Sequence, residues 1–145
     1  MTTRAQALIP IFIAAVIIGS IGILTLPSEI KLEQVKFPIG MIKVDTVPLE
    51  VQIADTDSSR VRGLMFQDQL PLDQGMLFVF PEQGLYSLWM LNMQFELDMI
   101  WFDNNGKVVH IKTNVPPCVI PIDIAAGCPS FVPDGEATYI LEVTS

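Results

Sequence analysis

The sequence has 145 residues, which suits one domain with an additional segment. Half of the residues are hydrophobic, and 16 acidic against 8 basic side chains give a net charge of −8. Because binding to the nucleic-acid polyanion needs clustered basic residues, this balance argues against nucleic-acid partners. The single histidine excludes histidine-rich metal sites and makes a Ser-His-Asp triad within the chain improbable, so we expect no cofactor.

An uncharged run, LIPIFIAAVIIGSIGILTL, covers residues 8–26. At 1.5 Å per residue, a helix of this length crosses a hydrocarbon core of about 30 Å. Arg4 precedes the run, so the positive-inside rule predicts a cytoplasmic N-terminus and a domain on the extracytoplasmic side. The alternative is a cleaved signal peptide, but no small-x-small site follows Leu24. We therefore expect residues 1–27 to form an uncleaved, single-pass anchor in the lipid bilayer.

After a linker predicted at residues 28–40, the hydrophobic pattern changes to the period of two that is typical of strands. We predict an extracytoplasmic, mainly β domain over residues 41–145. The predicted strands are residues 41–45, 48–54, 75–80, 86–92, 98–103, 107–113 and 137–144, and one helical turn is predicted within residues 58–64.

The Asn105-Gly106 pair is the strongest hairpin signal in the chain, because both residues accept the positive φ angles of a two-residue type I′ turn. Such a turn sets the register between the two flanking strands. It pairs Phe102 with Val109 and Ile100 with Ile111, and we expect this apolar face to lie in the core.

The opposite face of the same hairpin is then expected to lie outside, with Trp101 and His110 as direct neighbours. A one-residue slip of register would exchange the two faces. We interpret the outer residues Met99, Trp101, Val108 and His110 as a candidate interface with integral membrane partners. Ordinary exposure of scattered apolar side chains is the alternative.

The two cysteines, Cys118 and Cys128, stand in a proline-rich segment that reads as a loop. On the extracytoplasmic side a structural disulfide is permitted, and we predict one here. A metal pair needs further ligands close by, and a redox pair usually has two residues between its cysteines at a helix start. Both alternatives stay open at this point.

Four segments, in order and spacing, resemble the domain of unknown function 192 family: RVRGLMF at 60–66, GMLFVF at 75–80, LWMLN at 88–92 and LDMIWF at 97–102. The resemblance extends over residues 44–145. It implies a small, barrel-like antiparallel β domain, preceded in many members by a signal or anchor. The family has no established biochemical function, so the resemblance implies a fold and not a mechanism.

Three residues depart from the family's pattern. Gln67 stands where the family usually has a basic residue, and Leu91 and Met93 stand where a basic residue and a threonine are usual. These departures remove polar groups from the expected pocket rim and argue against inherited catalysis.

A candidate ligand site can nevertheless be assembled from aromatic, amide and charged side chains: Arg60, Arg62, Trp89, Asn92 and Asp98. Such groups could bind a polar small molecule, such as a sugar or a carboxylate. The alternative is structural, with Trp89 in the core and an ion pair at one end of the domain. A carboxylate at position 98 must be paired, with Arg60, Arg62 or loop amides as partners.

Thioether sulfur suits Cu(I), which makes a methionine copper site a further hypothesis, although methionine is also a common core residue. The residues concerned are Met65, Met76, Met90, Met93 and Met99, with His110.

The function that the sequence favours is a non-enzymatic, membrane-anchored binding or accessory module, as a subunit of a membrane complex. A small-molecule-binding or hydrolytic envelope protein is the alternative.

Overall fold

The computed structural model describes residues 36–118 and 127–145. The predicted anchor at residues 1–27 and residues 28–35 of the predicted linker lie outside this part of the chain. Among the helices that the structure describes, none is both long and apolar enough to cross a membrane.

The described part of the chain is mainly β, as the sequence predicts. Its first strand begins two residues before the predicted boundary at residue 41. The elements in chain order are β1 (Ile39–Val44), β2 (Val47–Ala54), α1 (Asp57–Arg62), β3 (Gln74–Gly84), β4 (Leu88–Trp89), β5 (Leu97–Phe102), β6 (Val108–Val115), β7 (Ser130–Phe131) and β8 (Ala137–Thr144).

Six strands form one sheet in the order β1-β2-β3-β8-β5-β6, and β4 pairs with β7 in a separate ribbon. Strands β2 and β3 run parallel, because α1 lies in the crossover between them and returns the chain to its starting direction. The other pairs are antiparallel. Strands β1 and β6 are the edges, so within residues 36–118 and 127–145 the sheet does not close into the barrel that the resemblance implies.

Apolar side chains lie on both faces of this sheet, because successive residues of a strand point to opposite sides. On one face, Ile140 of β8 belongs to the larger core, which also contains Leu64, Met90 and Phe95 from the connecting segments. On the other face, Leu141 packs with residues of β2 in a smaller cluster.

The hairpin between β5 and β6 has the predicted register over most of its length. Trp101 pairs with His110 and Ile100 with Ile111, as expected. The tip differs, since Phe102 pairs with Val108 and not with Val109.

The shift at the tip follows from the turn that the chain adopts there. The Gly106 N–H donates to the Asp103 carbonyl (3.1 Å), and Gly106 alone of the turn has a positive φ, +77°. The turn is therefore one residue longer than the predicted type I′ loop. The Asp103 carboxylate accepts the backbone N–H of Lys107, and this hydrogen bond is the main cause that lowers the Asp103 pKa.

The predicted assignment of faces in this hairpin is wrong. Met99 and Trp101 are 0% exposed, whereas Ile111, expected in the core, is 53% exposed. The Trp101 Nε1–H donates to the Tyr86 carbonyl (2.8 Å), and its ring meets the His110 ring edge-on. Met99 and Trp101 are therefore unavailable as an interface.

The predicted disulfide between Cys118 and Cys128 is present. Backbone hydrogen bonds hold its first cysteine against the segment that follows β4. The Cys118 N–H donates to the Met90 carbonyl (2.9 Å), and the Cys118 carbonyl accepts the Asn92 N–H (3.0 Å). The bridge therefore fixes the loop before β7 to the connection between β4 and β5.

We expect replacement of both cysteines, Cys118→Ser with Cys128→Ser, to lower the free energy of unfolding. Removing a crosslink of this length should cost roughly 2–3 kcal/mol, since the unfolded chain regains loop entropy. Urea unfolding of the purified full-length protein measures this change. Reductant should destabilise the wild type by a similar amount and leave the double variant unchanged. An equal response of the two proteins to reductant would contradict the prediction.

Candidate functional site

A pocket of about 320 Å³ opens beside α1, between the turn after this helix, strand β3 and the β4–β7 ribbon. Its walls are largely apolar and include Phe78, Phe80 and Met93. Arg62 and the 40% exposed Trp89 stand at its rim. An apolar cleft with a few polar groups is the usual form of a small-molecule site.

The inner end of the pocket holds a buried carboxyl group, that of Glu142 on the central strand β8. Its register neighbours are Met76 on β3 and Met99 on β5, and both are 0% exposed. Glu142 itself is 3% exposed. Among the described residues, none donates a hydrogen bond to its carboxyl group or forms an ion pair with it.

Burial raises the pKa of Glu142 to about 8, because transfer from water into this apolar environment penalises the charged form. The group is therefore mostly a neutral carboxylic acid at pH 7. Its O–H can donate a hydrogen bond and its carbonyl oxygen can accept one.

The strand beside Glu142 approaches closely because Gly75 has no side chain. A Cβ atom at this position would lie 2.6 Å from the Glu142 backbone oxygen. Glycine at the start of β3 therefore allows the pairing that places Met76 opposite Glu142.

Arg60 is held by protein groups on the pocket's outer side. Its guanidinium donates to the carbonyl oxygens of Asp55 (2.7 Å) and Val79 (2.8 Å) and pairs with the Asp57 carboxylate. It also lies over the Phe80 ring, 5.2 Å from the centroid. These contacts connect α1 to β3 and leave little of the Arg60 donor capacity for a ligand.

Arg62, two residues further along α1, has far fewer contacts. Its guanidinium lies over the Phe66 ring at 4.9 Å from the centroid. It makes no hydrogen bond or ion pair with any residue of the described part of the chain. Its N–H groups are therefore available at the pocket rim.

The structure brings together three of the five predicted site residues. Arg60, Arg62 and Trp89 line the pocket, whereas Asn92 and Asp98 do not.

Asn92 has a backbone role. It adopts a left-handed conformation with φ of +55°, which asparagine accepts more readily than most residues. Its carbonyl accepts the Phe66 N–H (3.0 Å), and its own N–H bonds to Cys118. Asn92 thus joins the turn after α1 to the disulfide segment.

Asp98 is satisfied by a backbone amide of the neighbouring strand β6 and by a hydroxyl. Its carboxylate accepts the Asn114 N–H (2.8 Å) and the Ser145 hydroxyl (2.9 Å). The expected partners Arg60 and Arg62 are wrong, because both lie at the pocket on α1. The alternative of a loop amide is also wrong, because Asn114 lies within β6, where its positive φ of +53° marks a local irregularity of the pairing.

The residues that depart from the family pattern have structural explanations. Gln67 exchanges two amide hydrogen bonds with Gln52, at 2.8 and 3.0 Å. Leu91 is 1% and Met93 3% exposed, so both belong to the interior. Met93 gives the pocket an apolar wall where the family usually has a polar residue.

Four of the five methionines considered for copper lie in the pocket lining or beside Glu142. Met65 and Met93 line the pocket, while Met90 does not. His110 bonds to Asp134 (2.9 Å) away from the pocket. Within residues 36–118 and 127–145, no cluster of three histidine, cysteine, aspartate or glutamate side chains could hold a metal ion.

The sequence reasoning missed Glu142, although a signal was present. Glu142 stands two residues after Ile140, so both side chains point to the same face of the strand. A single carboxylate therefore lies on a face that carries apolar residues. A charged residue in that position indicates either an exposed face or a buried acid. Ile140 and Leu141 point to opposite faces and are both apolar, so the pattern favours a strand buried on both faces, Glu142 included.

Comparison with protein families confirms the resemblance inferred from the four sequence segments. The family model DUF192, described as an uncharacterised ACR, matches residues 40–145. The chain belongs to this family. Among curated proteins, none matches the chain significantly.

Two solved structures share the fold. One, from Sinorhizobium meliloti and provisionally described as a transcription regulator, is 26% identical, with a TM-score of 0.61 over 77% of this chain and 84% of that one. The other, a protein of unknown function from Novosphingobium aromaticivorans, is 21% identical, with a TM-score of 0.61 over 75% of this chain and 74% of that one.

The buried acid predicts how stability depends on pH. The folded state has a Glu142 pKa of about 8, whereas the unfolded chain titrates near the ordinary value of 4.5. Between these values the folded state binds the extra proton. The wild type should therefore lose stability as pH rises, by about 1.4 kcal/mol per pH unit.

Glu142→Gln keeps the shape and removes the titration, so its free energy of unfolding should fall less between pH 5 and pH 8. Urea unfolding at several pH values measures the difference. Glu136→Gln, at an exposed position, is the matched control and should follow the wild type. Parallel pH profiles for wild type and Glu142→Gln would refute the buried neutral acid.

Proposed function

We propose that this domain is a small-molecule-binding module, held on the extracytoplasmic side of a membrane by its N-terminal anchor. The observation that carries the proposal is the Glu142 carboxyl group, which ends a pocket of about 320 Å³ without a hydrogen-bond partner among the described residues. The volume lies in the range of about 300–1,000 Å³ that is usual for ligand pockets.

A buried polar group without a hydrogen bond destabilises a protein by roughly 1–3 kcal/mol. The Glu142 carboxyl group lines the pocket, so a ligand there could accept its O–H. Burial already disfavours the charged form of this group, and a ligand that accepts the O–H would stabilise the neutral form.

Binding fits the pocket better than hydrolysis. Glycoside hydrolases commonly use two carboxyl groups on opposite sides of the bond that is cleaved. Glu142 supplies the one carboxyl group among the described residues that line this pocket. Ser87 and Ser130 also line it, but His110, the sole histidine, does not. Among the described residues that line the pocket, no histidine is therefore available to activate either hydroxyl.

Two features support the extracytoplasmic location. The uncharged run at residues 8–26 is long enough to cross a bilayer. The disulfide between Cys118 and Cys128 is of the kind that persists in oxidising compartments.

The surface offered to membrane-protein partners is smaller than the sequence suggested. Val108 is 41% exposed, but Met99 and Trp101 are buried. An accessory subunit would therefore have to dock through other residues. The regulator description of the Sinorhizobium protein is not carried over, because a chain with a net charge of −8 is poorly suited to bind DNA.

A thermal-shift screen of the full-length protein in detergent micelles tests the proposal. The panel contains small carboxylates, amides, amines and sugars. We expect stabilising compounds whose affinity falls about tenfold in Trp89→Ala, which corresponds to about 1.4 kcal/mol.

Leu72→Ala is the matched control, since Leu72 is 80% exposed and does not line the pocket. It should bind every compound as the wild type does. The proposal is removed if the panel contains no stabilising compound. It is also removed if the compounds bind to Trp89→Ala and to Glu142→Gln as tightly as to the wild type.

A further inference from the structure

We infer that the ligand of this pocket is a small organic anion, with its anionic group on Arg62 at the rim and a hydrogen-bond acceptor on Glu142 at the inner end. This inference rests on the proposed binding function and adds the chemical class of the ligand. It depends on the charged side chains that line the pocket. Some of them are already neutralised by other protein groups, and some are not.

Arg60 contributes little net charge to the pocket. The Asp57 carboxylate offsets its guanidinium, and the carbonyl oxygens of Asp55 and Val79 occupy two of its donor positions. Replacement of these contacts by a ligand would detach α1 from β3. Arg60 is therefore a positioning residue, not an anchor for a ligand.

Among the described residues that line the pocket, Arg62 is the cation that remains without a carboxylate partner. Its guanidinium lies 4.9 Å from the centroid of the Phe66 ring, and no oxygen atom of the described chain accepts its N–H groups. The fork of N–H groups of a guanidinium matches the two oxygens of a carboxylate or a phosphate. Because the whole chain has a net charge of −8, any positive potential from Arg62 is local to the pocket.

Glu142 does not cancel this charge, because it is buried between two thioether side chains. Its neighbours on β3 and β5 are Met76 and Met99, which carry no charge. The titratable groups that line the pocket with it are Arg60, Arg62 and Tyr86. The Tyr86 hydroxyl donates to the Glu82 carbonyl (2.9 Å) and so points to a protein partner.

The neutral carboxyl group selects a ligand with an acceptor. A carboxylic acid can donate its O–H to an ether, carbonyl or hydroxyl oxygen, and the ligand recovers the hydrogen bond that the protein does not supply. The apolar walls between the two polar ends suit a flat or ring-shaped body. Phe78, Phe80 and Met93 provide these walls.

A cationic ligand is the principal competitor. An ammonium group could ionise Glu142 and pair with it, but it would have to pass Arg62 and desolvate two charges. Buried ion pairs seldom recover the cost of that desolvation. The arrangement therefore favours an anion.

Three probes of matched size and shape test the class: the 4-methoxy derivatives of benzoate, benzamide and benzylamine, called benzoate, benzamide and benzylamine below. The ether oxygen of each is the acceptor for Glu142, and the three differ in the charged or amide group at the other end. Their binding to the full-length protein at pH 7 is measured by NMR shift titration. We expect benzoate to bind about tenfold more tightly than benzamide, since a charge-assisted hydrogen bond adds about 1.4 kcal/mol or more. Benzylamine should bind most weakly.

Arg62→Gln should lower the affinity for benzoate to that for benzamide and leave benzamide unchanged. Lys112→Gln is the matched control, because Lys112 is exposed on β6 and does not line the pocket. It should have no effect on any probe.

The pH dependence separates a direct role of Glu142 from a structural one. Ionisation of Glu142 removes its donor and adds a like charge, so benzoate affinity should fall as pH rises through about 8. The Glu142→Gln protein should show no such fall. Equal pH profiles for the two proteins would assign the anion to Arg62 alone and overturn the inference.

The outcomes distinguish the ligand class from the function. If benzamide binds as tightly as benzoate, or if benzylamine binds best, the inference of an anionic ligand is wrong. The proposal that the pocket binds small molecules is then unaffected. If none of the three probes binds, the inference of an anionic ligand is also wrong. The proposed binding function is wrong as well if no compound of the wider panel binds in the pocket.

Discussion

The burial of one carboxyl group in the central strand is the constraint from which the character of this domain follows. Glu142 lies between Met76 and Met99 in the middle of the sheet, and burial keeps it neutral near pH 7. A neutral acid in an apolar environment needs a hydrogen-bond partner, and the described chain offers none. The pocket above it is therefore more than an imperfection of packing, because the polar group at its inner end is matched by Arg62 at its rim.

Much of the fold could be predicted from the sequence, because strand periods and turn residues are local signals. The hairpin register through Trp101 and His110 was correct, since it depends on the position of Asn105-Gly106. The assignment of its faces was wrong because both faces carry several apolar residues, and the more apolar one is not the face in the larger core. Which face lies in the larger core depends on the segment from Leu88 to Phe95, which packs on the side of Trp101. A sequence pattern within one hairpin does not contain that information.

The site was less predictable, because residue type and spacing do not report where a side chain finds its partner. Arg62 and Trp89 could be named from their chemistry, and both line the pocket. Asn92 and Asp98 have equally suitable chemistry but serve the backbone. Asn92 lies in a left-handed turn, and Asp98 accepts a backbone amide of β6. Glu142 was overlooked because a charged residue in a strand is usually assigned to the exposed face.

The place of β8 in the sheet has a consequence for assembly. This strand follows the other described strands in the chain, yet it lies between β3 and β5. Strand β3 pairs with residues about sixty positions later, so these contacts require closure of a long loop. Without residues 137–144, the β1-β2-β3 and β5-β6 halves share no strand pairing. The strand that joins the halves also carries Glu142, so the sheet and the inner end of the pocket are completed by the same residues.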